Sequence, residues 1–335
     1  FTATNATDDI VIANLTVTPT YTNAGVTCTG ATQSFTITVY PTPDAIATPS
    51  TQTICSGSAI TTIVLSSNVM GTTYTWTRDN TVPVTGIAAN GIGNISGSLT
   101  NTTNAPVTVT FTITPTANGC PGLPITATVV VNPTPTVNDP LDQVLCNGTS
   151  STPVNFTGAV SGTVYNWTND NISIGLAASG TGNIGAFTAT NATSAPVTAN
   201  LTVTPEYTNA GQTCFGTPQT FTIIVNPTPT VNNPGNQVVC NASTTAVNFT
   251  GFVPGTVYNW TNDLPGIGLA ASGSGNIASF TAVNLSNVPV TATIVVTPSY
   301  TNALQTCTGA PVTFTITVNP TPTVNDPADQ ALCNG

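Results

Sequence analysis

Basic residues are almost missing from this chain. Of 335 residues only Arg78 is Lys or Arg, and there is no His. Charged residues make up 4% of the chain, against about 25% in a typical domain. Nucleic-acid binding needs Lys or Arg to neutralise phosphates, so it is excluded. The net charge of −10 works against anionic membrane surfaces. A histidine pH switch cannot be built, and neither can a Ser–His or Cys–His pair. Without Lys, Lys–Asn isopeptide cross-links cannot form. No stretch is long and apolar enough to read as a transmembrane, signal or anchor segment, and no segment has a useful helical period. Direct membrane insertion is therefore not expected. Solubility has to come from hydroxyls and amides, chiefly Thr and Asn.

What is present is a repeat. Val-Asn-Pro-Thr-Pro-Thr-Val-Asn recurs at Val131–Asn138, Val225–Asn232 and Val318–Asn325, with a weaker copy at Val39-Tyr40-Pro41-Thr42-Pro43. Pro41, Pro133, Pro227 and Pro320 stand 92, 94 and 93 residues apart. A fixed period decides the architecture. It divides the chain into the rear of a module (1–40), three complete modules (41–132, 133–226 and 227–319) and the front of another (320–335). Such a division suggests a window from a longer protein. Pro133 with Pro135, Pro227 with Pro229 and Pro320 with Pro322 form the linkers. Proline fixes φ near −65° and favours an extended path, which makes each linker a stiff hand-over.

The pattern within a module is all-β. Pro106 to Pro115 alternates strictly, with Val107, Val109, Phe111 and Ile113 on one face and threonines on the other. That is a half-buried antiparallel strand, and threonine keeps its wet face β-prone without charge. In the middle module strands are expected at 142–146, 153–158, 163–168, 172–178, 184–190, 195–205 and 221–225, with a long loop over 207–218. Seven short strands in about 93 residues fit an immunoglobulin-like β-sandwich. One Trp falls on the third strand of each module. Trp76, Trp167 and Trp260 are expected to plug the cores.

At this third strand the module resembles the PKD-like domains of Bacteroidota surface proteins. The matching residues are Tyr165-Asn166-Trp167 and Tyr258-Asn259-Trp260, with Gln143-Val144-Leu145-Cys146 and Gln237-Val238-Val239-Cys240. The sequence departs from the PKD pattern after Trp, where Thr168-Asn169-Asp170 replaces a Gly-Asp-Gly turn. Modules of this kind fill long adhesins such as the SprB-type gliding-motility adhesins exported by the type IX system. The resemblance implies a non-catalytic, surface-exposed stalk for attachment and gliding. Its partners would be other copies or modules of the same protein, surfaces, glycans or other cell-surface proteins. A binding role through loop tips bearing Tyr207, Phe215 and Tyr300, or a multi-chain extracellular filament, is the alternative.

Eight cysteines recur in phase, two to a full module, and none has C-x-x-C spacing. They read as disulfides and hence as an oxidising, extracellular setting. Three pairings are open. The intramodule set, Cys55–Cys120, Cys146–Cys214 and Cys240–Cys307, is the expectation carried forward. Pairing across each linker gives Cys28–Cys55, Cys120–Cys146, Cys214–Cys240 and Cys307–Cys333. Stapling non-adjacent cysteines at a junction would join, for example, Cys55 to Cys214.

Candidates for other chemistry are few. No cofactor is expected. Hard oxygen ligands at a domain junction suit calcium, so Asp139 with Asp142 and Asp326 with Asp329 are the metal candidates. The corresponding Asn233-Pro234-Gly235-Asn236 has lost both acids, and the plainer reading is an Asp/Asn-Pro turn. Asp170 and Asp263 read as turn formers. Asn-x-Ser/Thr triplets such as Asn147-Gly148-Thr149, Asn191-Ala192-Thr193 and Asn241-Ala242-Ser243 are attributed to composition.

Overall fold

A computed structural model describes residues 1–332 and 335. The chain is all-β, with tandem β-sandwich modules, and its contacts divide it into two compact units. One comprises Phe1–Asn138, Thr157–Tyr165 and Thr204–Pro218. The other comprises Asp139–Phe156, Asn166–Val203 and Gln219–Gly335. The stretch 133–226 is therefore shared between the units, with 133–138, Thr157–Tyr165 and Thr204–Pro218 in the first and the rest in the second.

In the first unit the main sheet is ordered by pairing. An edge strand (Asn90–Ile92) lies beside the Trp strand (Thr73–Arg78), then a long strand (Val107–Ala117), a closing strand (Ile125–Asn132) and a leading strand (Thr51–Cys55). All neighbours are antiparallel except the last pair. The leading strand runs parallel to the closing one, with Ile54 level with Val131 and Cys55 level with Asn132. The opposite layer is made of short pairs, Ile46–Thr48 with Val64–Ser66 and Val84–Gly86 with Leu99–Asn101. The period-two strand places Val109, Phe111 and Ile113 at 0% exposure, against Ala127, Val129 and Val131 of its neighbour and Ile63, Ile95 and Leu99 of the other layer. Val107 packs at the rim. Burying each large apolar side chain contributes about 1.5–3 kcal/mol. Ahead of this sandwich Val11–Val17 pairs with Gln33–Val39, and the hairpin Thr20–Asn23/Val26–Thr29 follows the same plan.

The second unit repeats the main sheet as Ser272–Ser274, Val257–Asn262, Val290–Asn302, Val312–Asn319 and Gln237–Cys240. Ala292, Ile294 and Val296 face Phe314, Ile316 and Val318 in its core. The middle repeat carries the same order with Ser179–Thr181, Val164–Asn169, Val197–Asn209, Gln219–Asn226 and Gln143–Cys146.

Three local expectations change. Residues 172–174 form a 3-10 turn and not a strand, because the Asn171 side chain caps it by accepting from Ser173 N, and Gly175 ends it at φ 91°. Residues 153–158 and 184–190 make only isolated bridges, Val154 to Ile184 and Ser150 to Thr188, although Val154 and Phe156 are buried as expected. The anticipated loop at 207–218 is a β-hairpin. The long strand continues past Pro205 to Asn209 and returns as Gln212–Phe215 through a two-residue turn with Ala210 at φ 48° and Gly211 at φ 75°. Proline did not end the strand because its carbonyl still accepts, here from Gly216 N at 2.9 Å.

Candidate functional site

The strand directions bring cysteine, asparagine and the proline linker together. Because the leading strand is parallel to the closing one, a module's first cysteine sits where the closing strand ends. Its second cysteine lies on the hairpin at the far end of the long strand. In the first full module Val107 is level with Val131, whereas Cys120 pairs with Ala117, ten residues along. In the third, Val290 is level with Val318 and Cys307 pairs with Tyr300. Ten strand residues span about 33 Å. A disulfide needs Cα atoms about 4.4–6.8 Å apart.

The intramodule pairing is therefore overturned. Cys55 is bonded to Cys214 and Cys146 to Cys307, with Cα–Cα distances of 5.5 and 5.6 Å. Cys55–Cys120, Cys146–Cys214 and Cys240–Cys307 are absent. Cys28, Cys120 and Cys240 are free. Pairing across each linker is excluded at Cys214 and Cys307, whose sulfurs are taken; Cys333 lies outside the described residues. The pairing is that of non-adjacent cysteines, the leading strands of the first two full modules each joined to the next module's hairpin.

An asparagine pair accompanies each bridge. Asn132, level with Cys55, is fully buried. Asn209 donates its amide to Asn132 Oδ1 at 2.9 Å, and Asn132 Nδ2 donates to Asn209 O at 3.3 Å. Asn302 and Asn226 repeat this at 2.9 and 3.3 Å. Gln212 and Gln305 turn their amides toward the sulfurs of Cys55 and Cys146. Removing one member of a buried amide pair costs about 1–3 kcal/mol, since the other is left unsatisfied.

The linker is built into this site. Pro133, Pro135, Pro227 and Pro229 are buried, while Pro320 is half-buried and Pro322 exposed. Asn147 Nδ2 donates to Thr228 Oγ1 and Asn241 Nδ2 to Thr321 Oγ1, both at 2.9 Å. Hairpin glycines lie directly over the linker backbone. A Cβ on Gly216 would stand 1.8 Å from Pro135 O, one on Gly309 1.8 Å from Pro229 O, and one on Gly122 1.9 Å from Pro43 O. Glycine is required there by close approach.

Trp76, Trp167 and Trp260 are each 7% exposed. Each ring lies across an edge-strand glycine, where a Cβ on Gly91, Gly180 or Gly273 would meet it at 2.2–2.3 Å. Their indole N–H groups are buried without a partner. Trp76 stacks edge-on to Phe111 at 5.7 Å. Arg78 is 8% exposed, and its guanidinium donates to Ile87 O, Ala88 O and Val84 O. Burial lowers its pKa, opposed by the nearby Asp79 charge. Asn169 and Asn262 occupy the same position and reach Leu176 O and Leu269 O.

The acids serve the backbone. Asp79, Asp170 and Asp263 each accept from a long-strand amide, of Thr110, Asn200 and Thr293, at 2.7 Å. Asp142 accepts from Thr222 N, and Asn236 replaces it by accepting from Thr315 N. This position asks for an acceptor and not for charge, which explains why Asn236 can stand where Asp142 does. Among the described residues no three or more His, Cys, Asp or Glu gather as a metal site, and Asp139, Asp142, Asp326 and Asp329 are not brought into such a group. A shallow groove of about 540 Å³ flanks Trp76, lined by residues such as Gly86, Ile87, Asn94 and Ser96 that offer no acid or base.

Sequence reasoning missed the structural Asn-x-Ser/Thr. Asn101, Asn191 and Asn284 are buried, and each donates to the closing strand, at Val131 O, Val225 O and Val318 O. Each Oδ1 accepts from the residue two positions on, Thr103, Thr193 or Ser286. Asn5 does the same with Thr7 and Val39. These triplets are clamps, and their phase in the repeat was the available signal. The binding tips also differ from expectation. Tyr207 and Tyr300 are half-buried on hairpins engaged at the junctions, and only Phe215 is exposed, at 62%.

Residues 52–135 match the family model described as PKD-like domain, a non-catalytic structural module. No curated protein matches the chain. Among solved structures, mouse cadherin-23 EC22–24 is similar at 14% identity and TM-score 0.37, over 84% of this chain and 99% of that one. Protocadherin gamma B2 extracellular cadherin domains 3–6 give 14% and 0.33, over 92% and 84%. The insect immune protein hemolin gives 11% and 0.29, over 92% of each. Likenesses this distant pass nothing on to this chain.

Proposed function

We propose that the chain is a load-bearing stretch of an extracellular adhesin or fibre on a bacterial surface, serving attachment and gliding motility. The observation that carries this is the coupling of successive modules by Cys55–Cys214 and Cys146–Cys307, each beside an asparagine pair with one member fully buried. Tandem repeats joined only by flexible linkers can be pulled apart one at a time. Here a covalent bridge crosses the junctions at Pro133 and Pro227, and at each a rigid linker packs beneath the same hairpin. Disulfides persist in oxidising compartments, which supports an extracellular location. The uncharged Thr and Asn surface and the PKD-like match agree with a structural role. Its partners would be further modules or copies of the same protein, and surfaces, glycans or cell-surface proteins met at its exposed faces.

The test is immunogold labelling of intact, unpermeabilised cells of the source organism with antibody raised against residues 1–335, together with deletion of the coding region. Surface label and a loss of attachment and gliding are expected. Label confined to the cell interior, or unchanged attachment in the deletion strain, would sink the reading.

A further inference from the structure

The main sheet of the first full module has two edges, and they are finished differently. The leading-strand edge is covered by its own chain. Gln52 accepts from Thr61 N at 2.8 Å and donates to Thr61 O at 3.0 Å, and Gln143 of the middle module does the same with Thr152. The opposite edge, Asn90–Ile92, has no such cover. Among the described residues it pairs with the Trp strand alone. Arg78 N donates to Ala89 O, and Gly93 N donates to Tyr74 O. Bonded pairs alternate along an antiparallel ladder. Gly91 therefore bonds to Trp76, while Asn90 and Ile92 turn their N–H and C=O groups outward. Unpaired backbone groups in a row are a template for another strand. The charges that usually discourage such pairing are missing, since the chain has no Lys and its one Arg is buried.

Two grooves meet at this edge. One, of about 310 Å³, lies on the face of the sheet that carries Thr75, Thr77, Thr112 and Thr114. The other, of about 540 Å³, lies on the second-layer side, against Trp76, Ile87 and Gly97. Asn90, Gly91 and Ile92 border both, and neither is lined by an acid or a base. Successive side chains of a strand point to opposite faces. A strand laid along Asn90–Ile92 would therefore send its side chains into the two grooves in turn. Ile92 stands between them, 81% exposed. The other full modules place Thr181 and Ser274 at this register position, and the Thr181 hydroxyl is spent on Asn166 Oδ1 at 3.0 Å.

We propose that the Asn90–Ile92 edge receives an extended, uncharged segment of a partner polypeptide as an added strand. A large apolar side chain of that segment lies against Trp76 and Ile87, and β-branched or hydroxyl side chains lie over the threonine face. The occupant follows from the groups on offer. Asn90 and Ile92 present donors and acceptors at the two-residue repeat of a strand, and a polypeptide backbone returns them at that repeat, as a glycan does not. Main-chain bonds then hold the segment, and the grooves select its side chains. The lack of charge around both grooves selects a neutral segment. This deepens the adhesive reading by naming a class of partner, and rests on it for where such a segment is met.

The test uses the full chain, labelled for NMR, with the acetylated and amidated peptide Thr-Val-Thr-Phe-Thr-Val-Thr as probe. Binding should slow hydrogen exchange at the Asn90 and Ile92 amides at least about tenfold and leave Gly91 unchanged. Ile92→Pro removes an N–H that no bond within the chain uses, at an edge position where proline is tolerated. It should weaken the peptide about tenfold. Ile92→Thr copies the middle module, so the fold accepts it, and should weaken the peptide about threefold. An analogue of the peptide N-methylated along its backbone keeps the side chains and should not bind.

Equal binding by the methylated analogue, unchanged exchange at Asn90 and Ile92 at the highest soluble peptide concentration, or protection of Thr51–Cys55 instead overturns the proposal. So does protection of Asn90 and Ile92 that grows with chain concentration in the absence of peptide, which is pairing with a second copy. Chitohexaose displacing the peptide, which marks a glycan site, overturns it as well. Should Ile92→Pro fail to fold, Ile92→Thr and the methylated analogue still decide. None of these measurements touches surface location or attachment, so their failure leaves the adhesin reading standing, and failure of labelling and deletion strikes that reading alone.

Discussion

Pulling the chain from its two ends gives a sharp reading of the bridges, because their loops overlap. Cys55–Cys214 closes a separation of 159 residues and Cys146–Cys307 one of 161. The stretch between Cys146 and Cys214, 68 residues, belongs to both. With both bridges intact, the shortest covalent path from Cys55 to Cys307 is that shared stretch, and not the full 252 residues of chain. The bridges together withhold about 184 residues, or about 640 Å at roughly 3.5 Å per extended residue. Breaking one changes little. Cys214→Ser leaves a path longer by only 23 residues, and Cys307→Ser one longer by 25, each about 80–90 Å. The double variant releases the whole length. The assay is terminal pulling in an optical trap or by force microscopy, with the remaining thiols alkylated and all modules unfolded. Small gains from each single variant and a large gain from the pair are expected. Bridges closed within modules would behave additively. A gain of about 240 Å for Cys214→Ser alone, the 68 residues to Cys146, would refute the interlocked pairing.

Three further outcomes follow from the same structure. Gly309→Ala places a Cβ 1.8 Å from Pro229 O, whereas Gly266→Ala meets nothing within 4 Å. The first should cost about 1–3 kcal/mol, seen in hydrogen exchange as at least about fivefold faster exchange over Val312–Asn319; equal exchange in the two variants would remove the linker from the packing. Trypsin should leave the native chain whole, since Arg78 is buried and its strand is paired on both sides, and should cut the denatured chain once; Arg78→Asn should be tolerated far better than Arg78→Ala in thermal melts, because Asn169 and Asn262 already fill that position. The Asp170 carboxyl lies below the ordinary 3.8 because it accepts from the Asn200 side chain and backbone, and the Asp44 carboxyl does so through Ser67. A folded pKa below the unfolded one means stability that is fully present above about pH 4 and is lost as pH falls through the lowered value. NMR titration should find both groups below 3.8, and Asp170→Asn should flatten the acid limb of the stability curve; an unaltered limb would contradict it.

Sequence alone determined the architecture. The period of about 93 residues, the alternation of Val109, Phe111 and Ile113 with threonine, and one Trp per copy follow from chemistry local to a strand. Burial then falls where that chemistry puts it. The lack of basic residues set the limits on function for the same reason, because no fold can supply a charge that the chain does not carry. Tertiary structure decided everything that depends on strand direction. Whether Cys55 meets Cys120 or Cys214 turns on the leading strand lying parallel to the closing one and on the hairpin continuing past a proline, and neither leaves a mark at the cysteines. The buried asparagines are intermediate. Asn101, Asn191 and Asn284 recur in phase and could have been singled out, but in a chain rich in Asn only their burial separates a clamp from a solvated side chain. Asparagine stands before the proline motif in three of its four copies, and at Asn132 and Asn226 only the arrival of a neighbouring hairpin gives the side-chain amide a partner.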